Sequence, residues 1–421
     1  MSRVLFHIGT PKTGTSFVQD VLFRNRELLA ERGILYPVDR FDDHFLAALD
    51  LLELSWGGLE AKAVGAWERL AERVRGWDGT VIVSHEVFAA ATRQQVRRAL
   101  SSFGESEVHV VLSARDLARQ LPAEWQENVK HRRTVDFAHF LDRVRDPTRS
   151  SEVATWFWAV QEVPDILDRW GSTLPPERVH LVTVPGRDAP RDLLWRRFAG
   201  VFGLDVEPVQ PTTQPTTQRF NPSLGLAEAE LVRRVNLRVN HGVLANEDYR
   251  RFVRELLAHR TLSRRVGSAR IELPPDAVAW AEGVGRSWVE ALRPRGYDVV
   301  GSLDELNPTA VPAGGPTAVP TREPGSPEAE HSSASGDPSE DAVQDAALES
   351  IVTLLREAAR LQHLEDDLRT ELATTRAELD RSRSLRFRAK RRLVRSAETN
   401  RVAAAGLAAY RWMRESSSRS A

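Results

Sequence analysis

The residues best suited to chemistry lie at the start of the chain, in Gly9-Thr10-Pro11-Lys12-Thr13-Gly14-Thr15-Ser16. One lysine sits among closely spaced hydroxyl residues between two glycines. The apolar run Val4-Leu5-Phe6-His7-Ile8 before it reads as a strand. The stripe Phe17, Val18, Val21, Leu22, Leu28 and Leu29 after it reads as a helix, with Gly33 as its stop. A strand, a glycine-containing loop and a helix N-terminus form an anion cradle, because loop N–H groups and the positive helix end point at the ligand. Lys12 adds a full charge. Only Lys12, Lys62, Lys130 and Lys390 are lysines among the 58 basic residues, so a compact ammonium stands where a broad guanidinium would fit badly.

Two further clusters follow buried strands. Thr80-Val81-Ile82-Val83 ends in Ser84-His85-Glu86, and Val108 to Leu112 ends in Ser113-Ala114-Arg115-Asp116. Arg115 suits an anion; His85 and Glu86 suit proton transfer. Histidine titrates near neutrality unaided, whereas a glutamate needs a raised pKa or mainly orients the acceptor. Strand alternation stops both from pointing the same way. His44 and Trp125 could line an acceptor cleft, and Trp56, Trp156 and Trp158 could stack on sugar rings, although tryptophans in helices more often fill the core.

The elements that must position these groups alternate. Four strands, at Val4–Ile8, Thr80–Val83, Val108–Leu112 and Val179–Val184, are separated by helical patterns, including an amphipathic run at 58–77 and a helix from Leu117 to His131 with Pro122 as a kink or boundary. Gly33–Pro37 reads as a connection. This alternation predicts an α/β fold with a central parallel sheet and helices on both faces, which binds ligands outside the carboxyl ends of its strands.

The opening loop shares Gly9, Gly14 and Ser16 with the nucleotide P-loop G-x-x-x-x-G-K-[ST], but its lysine stands two residues ahead of the second glycine. No metal-holding Asp ends the next strands, so no metal is expected and a Mg²⁺-nucleotide is disfavoured. Pro11-Lys12-Thr13-Gly14-Thr15-Ser16 resembles the 5′-phosphosulfate loop of sulfotransferases that use 3′-phosphoadenylyl sulfate (PAPS), most closely the bacterial and glycan-type enzymes. The resemblance covers residues 1 to 300 and implies a P-loop-like sulfotransferase fold. It implies that Pro11 to Ser16 hold the 5′-phosphate, that Lys12 stabilises charge on the bridging oxygen, and that Arg115 grips the 3′-phosphate. It also implies a catalytic base at the end of the intervening strand, where this chain offers His85 and Glu86, with Glu86 favoured. The family's serine eight residues after the Arg is Ala123 here; Arg119, Gln120 or Arg219-Asn221-Ser223 could replace that contact.

The implied reaction moves a sulfuryl group from PAPS to a hydroxyl or amine of a carbohydrate, glycolipid or small-molecule acceptor. Two other readings stand beside it: a P-loop kinase or NTPase, and a non-catalytic sulfotransferase-like binding or scaffold protein.

With 421 residues and net charge −1, the chain carries no global field for nucleic acid, and without cysteine it has neither disulfides nor thiol nucleophiles. The absence of a leader or an apolar span suggests a cytoplasmic protein. The catalytic domain is expected over 1–307 and a disordered linker over 308–340. A helical region follows over 341–415, in which Ile351, Leu354, Leu361, Leu364, Leu368, Leu372 and Leu379 could pair as a coiled coil. Residues 381–395, with eight Arg/Lys and no acid, could contact the inner face of a membrane.

Overall fold

A computed structural model describes residues 2–186, 188–190, 192–204, 223–239, 243–307, 333–334 and 338–397, with a few positions beyond. A six-stranded, wholly parallel sheet runs through it. Its strands are β1 (Arg3–His7), β2 (Ile34–Leu35), β3 (Thr80–Ser84), β4 (Glu107–Ala114), β5 (Val179–Thr183) and β6 (Asp298–Val300), in the spatial order β2-β3-β1-β4-β5-β6. The four expected strands form its centre. The edges β2 and β6, with two and three residues, are too short to show a period.

The central strands are apolar on both sides because both sides are covered. Val4, Phe6, Val81, Val83, Val110 and Leu112 face one core, which also takes Leu117, Leu121 and Trp125 from helix α2 (Leu117–Lys130). Leu5, Ile82, Val111 and Val182 face the other, packed by Val18 and Leu22 of helix α1 (Thr15–Arg24) and by Trp195 and Phe198 of helix α3 (Leu193–Phe202). Period-two alternation along each strand sorts the two sets.

The chain leaves β1 for β2 and β3 on one side, then crosses to β4 on the other. Helix α1 follows β1 onto one face and α2 follows β4 onto the opposite face. The crevice between the carboxyl ends of β1 and β4 is therefore the topological switch point. The Lys12 loop and Arg115 both lie there.

Some local expectations change. Helix α2 runs through Pro122 to Lys130, started by the Asp116 carboxylate, which accepts from the Arg119 N–H at 2.9 Å. The 58–77 pattern yields two helices, a single turn over Glu60–Ala63 and a longer one over Ala66–Arg75. Gly65, with φ 73°, breaks the pattern, and Val64 is left 72 % exposed. The compact unit extends to Ser350 rather than stopping near Asn307. Val343 and Ala346, in the first turns of helix α4 (Glu340–Ala397), are buried in it. Most of 308–340, Arg219 and Asn221, and most side chains of 381–395 lie outside the described residues.

Candidate functional site

The Lys12 loop is wound by three residues in the left-handed region: Gly9 (φ 110°), Lys12 (φ 64°) and Gly14 (φ 86°). Left-handed residues on either side of Thr13, just ahead of the α1 N-terminus, are the backbone pattern that can turn N–H groups toward an anion. Gly9 is required by space as well as by φ, since a Cβ there would stand 2.9 Å from the Glu86 carbonyl oxygen. Lys12 holds a conformation that costs a non-glycine residue on the order of 1 kcal/mol, so the surroundings must fix it.

That fixing comes from the ends of β3 and β4. Ser113 donates its N–H to the Gly9 carbonyl at 2.5 Å and accepts from the Thr10 N–H at 2.6 Å. Its Oγ donates to the Gly9 carbonyl at 3.0 Å and shares a hydrogen bond with Thr13 Oγ1 at 2.6 Å. The buried His7 ring bridges Ser84 Oγ (2.8 Å) and Ser113 Oγ (3.1 Å), tying β3 and β4 across β1. Burial lowers the His7 pKa to about 4, so the ring is a neutral strut at pH 7. From the far side, Gln120 of α2 and Gln161 donate to the Pro11 carbonyl.

Lys12 Nζ forms an ion pair with Glu127 of α2. Glu127 also faces Lys130 (3.8 Å), His131 (3.2 Å) and Arg254 (3.5 Å). Burial alone would raise this carboxyl, but Lys12, His131 and Lys130 hold it well below the usual carboxylate range. Burial holds the His131 ring below its ordinary pKa, so Lys12, Lys130 and Arg254 are the cations sharing this carboxylate, a cationic excess beside the loop. Burial brings Lys130 down to about 8 and His259 down to about 4.

Arg115 leaves β4 beside this cluster. Its Nε donates to Gln120 Oε1 at 2.9 Å and an Nη donates to the Arg119 carbonyl at 3.0 Å, so Gln120 links Arg115 to the Pro11 loop. Arg119 itself is held by Asp116 and by the Val184 and Pro185 carbonyls, which commits it to bracing the β5 end rather than to a ligand. Gln120 is committed likewise, and Ser223 is exposed.

His85 and Glu86 differ in what they have free. His85 starts a short 3₁₀ turn (Glu86–Ala90), and its Nδ1 accepts from the Val87 N–H at 3.2 Å. The basic lone pair is thus spent on the backbone, burial lowers the ring pKa, and the ring stacks on Phe45 at 5.0 Å. Glu86 accepts from Gln19 Nε2 of α1 at 3.0 Å. Burial pushes its carboxyl up, but His85, hydrogen bonds and the nearby Lys12 charge outweigh that and hold it below its ordinary value. Glu86 is an ionised acceptor at neutral pH.

Two proposed cleft residues are core. Trp125 is buried and donates its indole N–H to the Val135 carbonyl at 2.9 Å. His44 is buried against Tyr36 and accepts from the Ser84 N–H at 3.4 Å. Both ring types also serve as packing side chains, and here hydrophobic burial fixes them away from solvent. Trp158 is buried too, bonded to the Val144 carbonyl. Trp56 and Trp156 do come together, 5.8 Å apart and half-buried. Trp56 also meets Phe45 at 5.6 Å and His131 at 5.4 Å, so aromatic rings run from His85 to the Glu127 cluster.

Two carboxyls, Glu124 and Glu127, escape sequence reasoning. Glu124, one turn before Glu127 on α2, accepts from Gln161 at 3.1 Å, and burial raises it to about 7 against the pull of Lys12. The signal for both carboxylates was their i, i+3 spacing downstream of Arg115. No helix among the described residues is long and apolar enough to cross a membrane, and no group of three or more His, Asp or Glu among them could hold a metal ion. No protein-family model, characterised protein or solved structure matches the chain.

Proposed function

We propose that this chain is a sulfotransferase that moves a sulfuryl group from PAPS to a hydroxyl or amine of a carbohydrate, glycolipid or other small acceptor. The observation that carries the reading is the meeting of three groups at one sheet edge: the wound Lys12 loop after β1, Glu86 after β3 and Arg115 after β4. A nucleotide with phosphate at both ends suits a site with one cationic cradle and one guanidinium. The displaced lysine argues against an ATPase loop.

In the proposed reaction the acceptor oxygen or nitrogen attacks sulfur while the bond from sulfur to the phosphate bridging oxygen breaks, and adenosine 3′,5′-bisphosphate leaves. Lys12 would shift from Glu127 to the bridging oxygen. Glu127 would keep Lys130, His131 and Arg254, so the exchange leaves no uncompensated carboxylate. Glu86, ionised and held below its ordinary value, would accept a hydrogen bond from the attacking O–H or N–H, orient it and receive its proton as the bond to sulfur forms, and the Trp56 and Trp156 rings would flank an acceptor ring.

Two tests bear on this. Calorimetry with adenosine 3′,5′-bisphosphate is expected to show binding that Arg115→Ala weakens about 10- to 100-fold, the worth of a charged hydrogen-bonded contact. ATP turnover without bisphosphate binding would overturn the assignment in favour of an NTPase. For the base, Glu86→Gln is expected to lose turnover about 10²-fold or more while His85→Ala keeps most of it. The reverse ranking would return the role to His85.

A further inference from the structure

Beyond Ser350, helix α4 belongs to a second unit and presents a half-exposed apolar stripe. Ile351, Leu354, Leu364, Leu368, Leu372 and Leu379 are each 39 to 56 % exposed. The stripe is a heptad. Leu354, Leu361 and Leu368 occupy three successive d positions; Ile351, Ala358, Leu372 and Leu379 occupy a positions. A side chain every 3.5 residues on one face fits a second helix along its length.

We infer that this stripe pairs with the same stripe of a second copy of the chain, as a parallel, in-register two-stranded coiled coil. Charge fixes the orientation. Glu357, Glu371 and Glu378 fall at g, while Arg369 and Arg376 fall at e. In a parallel pair a g residue faces the e′ residue five positions on, which sets Glu371 against Arg376 of the partner twice, once on each flank. An antiparallel pair sets g against g and e against e, so glutamates oppose glutamates and arginines oppose arginines. Leucine at successive d positions suits two strands. Glu365 is the exception within the seam. It stands at an a position, tied to Arg369 of its own helix at 2.7 Å, and in register it meets its own copy. That costs affinity and makes Glu365 the residue whose replacement tightens the pair.

The test uses the full chain. Sedimentation equilibrium is expected to give about twice the 47.2 kDa of one chain. Leu368→Glu is expected to return it to a monomer with unchanged bisphosphate binding, and Glu365→Leu to lower the dimer Kd at least tenfold. The chain has no cysteine, so a single introduced thiol reports geometry without background. Leu354→Cys and Leu372→Cys are each expected to form an interchain disulfide on mild oxidation, since only in-register parallel helices bring both positions within bonding distance of their copies. A monomer for both the parent chain and Glu365→Leu, a trimeric mass, or a dimer in which only one or neither thiol cross-links would overturn the inference.

Discussion

Lys12→Ala is expected to lower sulfuryl transfer by about 10²- to 10³-fold or more, the scale seen when a preorganised donor to developing charge is removed. The variant should still fold. Ser113, His7, Gln120 and Gln161 hold the loop through backbone and hydroxyl contacts that do not involve the ammonium. Removing Lys12 also leaves Glu127 with Lys130, His131 and Arg254, so the partly buried carboxylate stays compensated. The thermal midpoint should therefore move by only a few degrees. Alanine keeps the Cβ and with it the left-handed strain at φ 64°, which only glycine would relieve. Lys12→Arg should not restore transfer. A planar guanidinium paired to Glu127 has its fork satisfied there and cannot place a point charge at the bridging oxygen. The measurement is the rate of PAPS consumption in an acceptor screen read by mass, beside bisphosphate calorimetry. Normal turnover in Lys12→Ala would remove the loop from the chemistry. A collapse of the midpoint without other change would make Lys12 a structural cation.

The loop and the sheet centre were legible because their signals are local. Four consecutive apolar residues bounded by polar punctuation make a strand buried on both faces, and a glycine pair around a lysine makes a turn that needs positive φ. The edges β2 and β6 carry two and three residues and give no period. His44 and Trp125 were placed in a cleft from residue type alone, but type does not say which face of a helix meets the sheet. The same gap hid the Glu127 cluster, whose members at 12, 127, 130, 131 and 254 meet only because α2 crosses the carboxyl edge of the sheet. His85 was legible as a titratable group at a strand end. That its lone pair is spent on the Val87 N–H is a property of the turn, which no spacing reveals.

Glu124 supplies the other large effect, and it appears in stability. Burial raises its carboxyl from 4.5 to about 7, with Lys12 and Arg115 pulling the other way. Between those two values the native chain keeps a proton that the unfolded chain has released. Native stability must then fall as pH rises through this window, by up to about 3 kcal/mol from this group by pH 8. Below pH 4.5 both states are protonated and the group contributes nothing. Glu124→Gln removes the ionisation while keeping a side-chain carbonyl that can accept from Gln161. It is expected to match the parent chain near pH 4.5 and to exceed it by about 2 to 3 kcal/mol at pH 8, read by denaturant or thermal unfolding across the range. A difference that does not change with pH would mean that the carboxyl has the same pKa folded and unfolded, and one still growing above pH 8 would mean that it never ionises in the folded chain. The same variant arbitrates between the two carboxylates of the site. A pKa near 7 suits a general base and the lowered Glu86 carboxyl lacks it, but Glu124 is buried behind the Pro11 loop and bonded to Gln161, whereas Glu86 is partly exposed at the end of β3, where an ionised carboxylate can orient an acceptor. Glu124→Gln should therefore keep turnover where Glu86→Gln loses it; turnover lost in Glu124→Gln and kept in Glu86→Gln would move the proton's destination to α2.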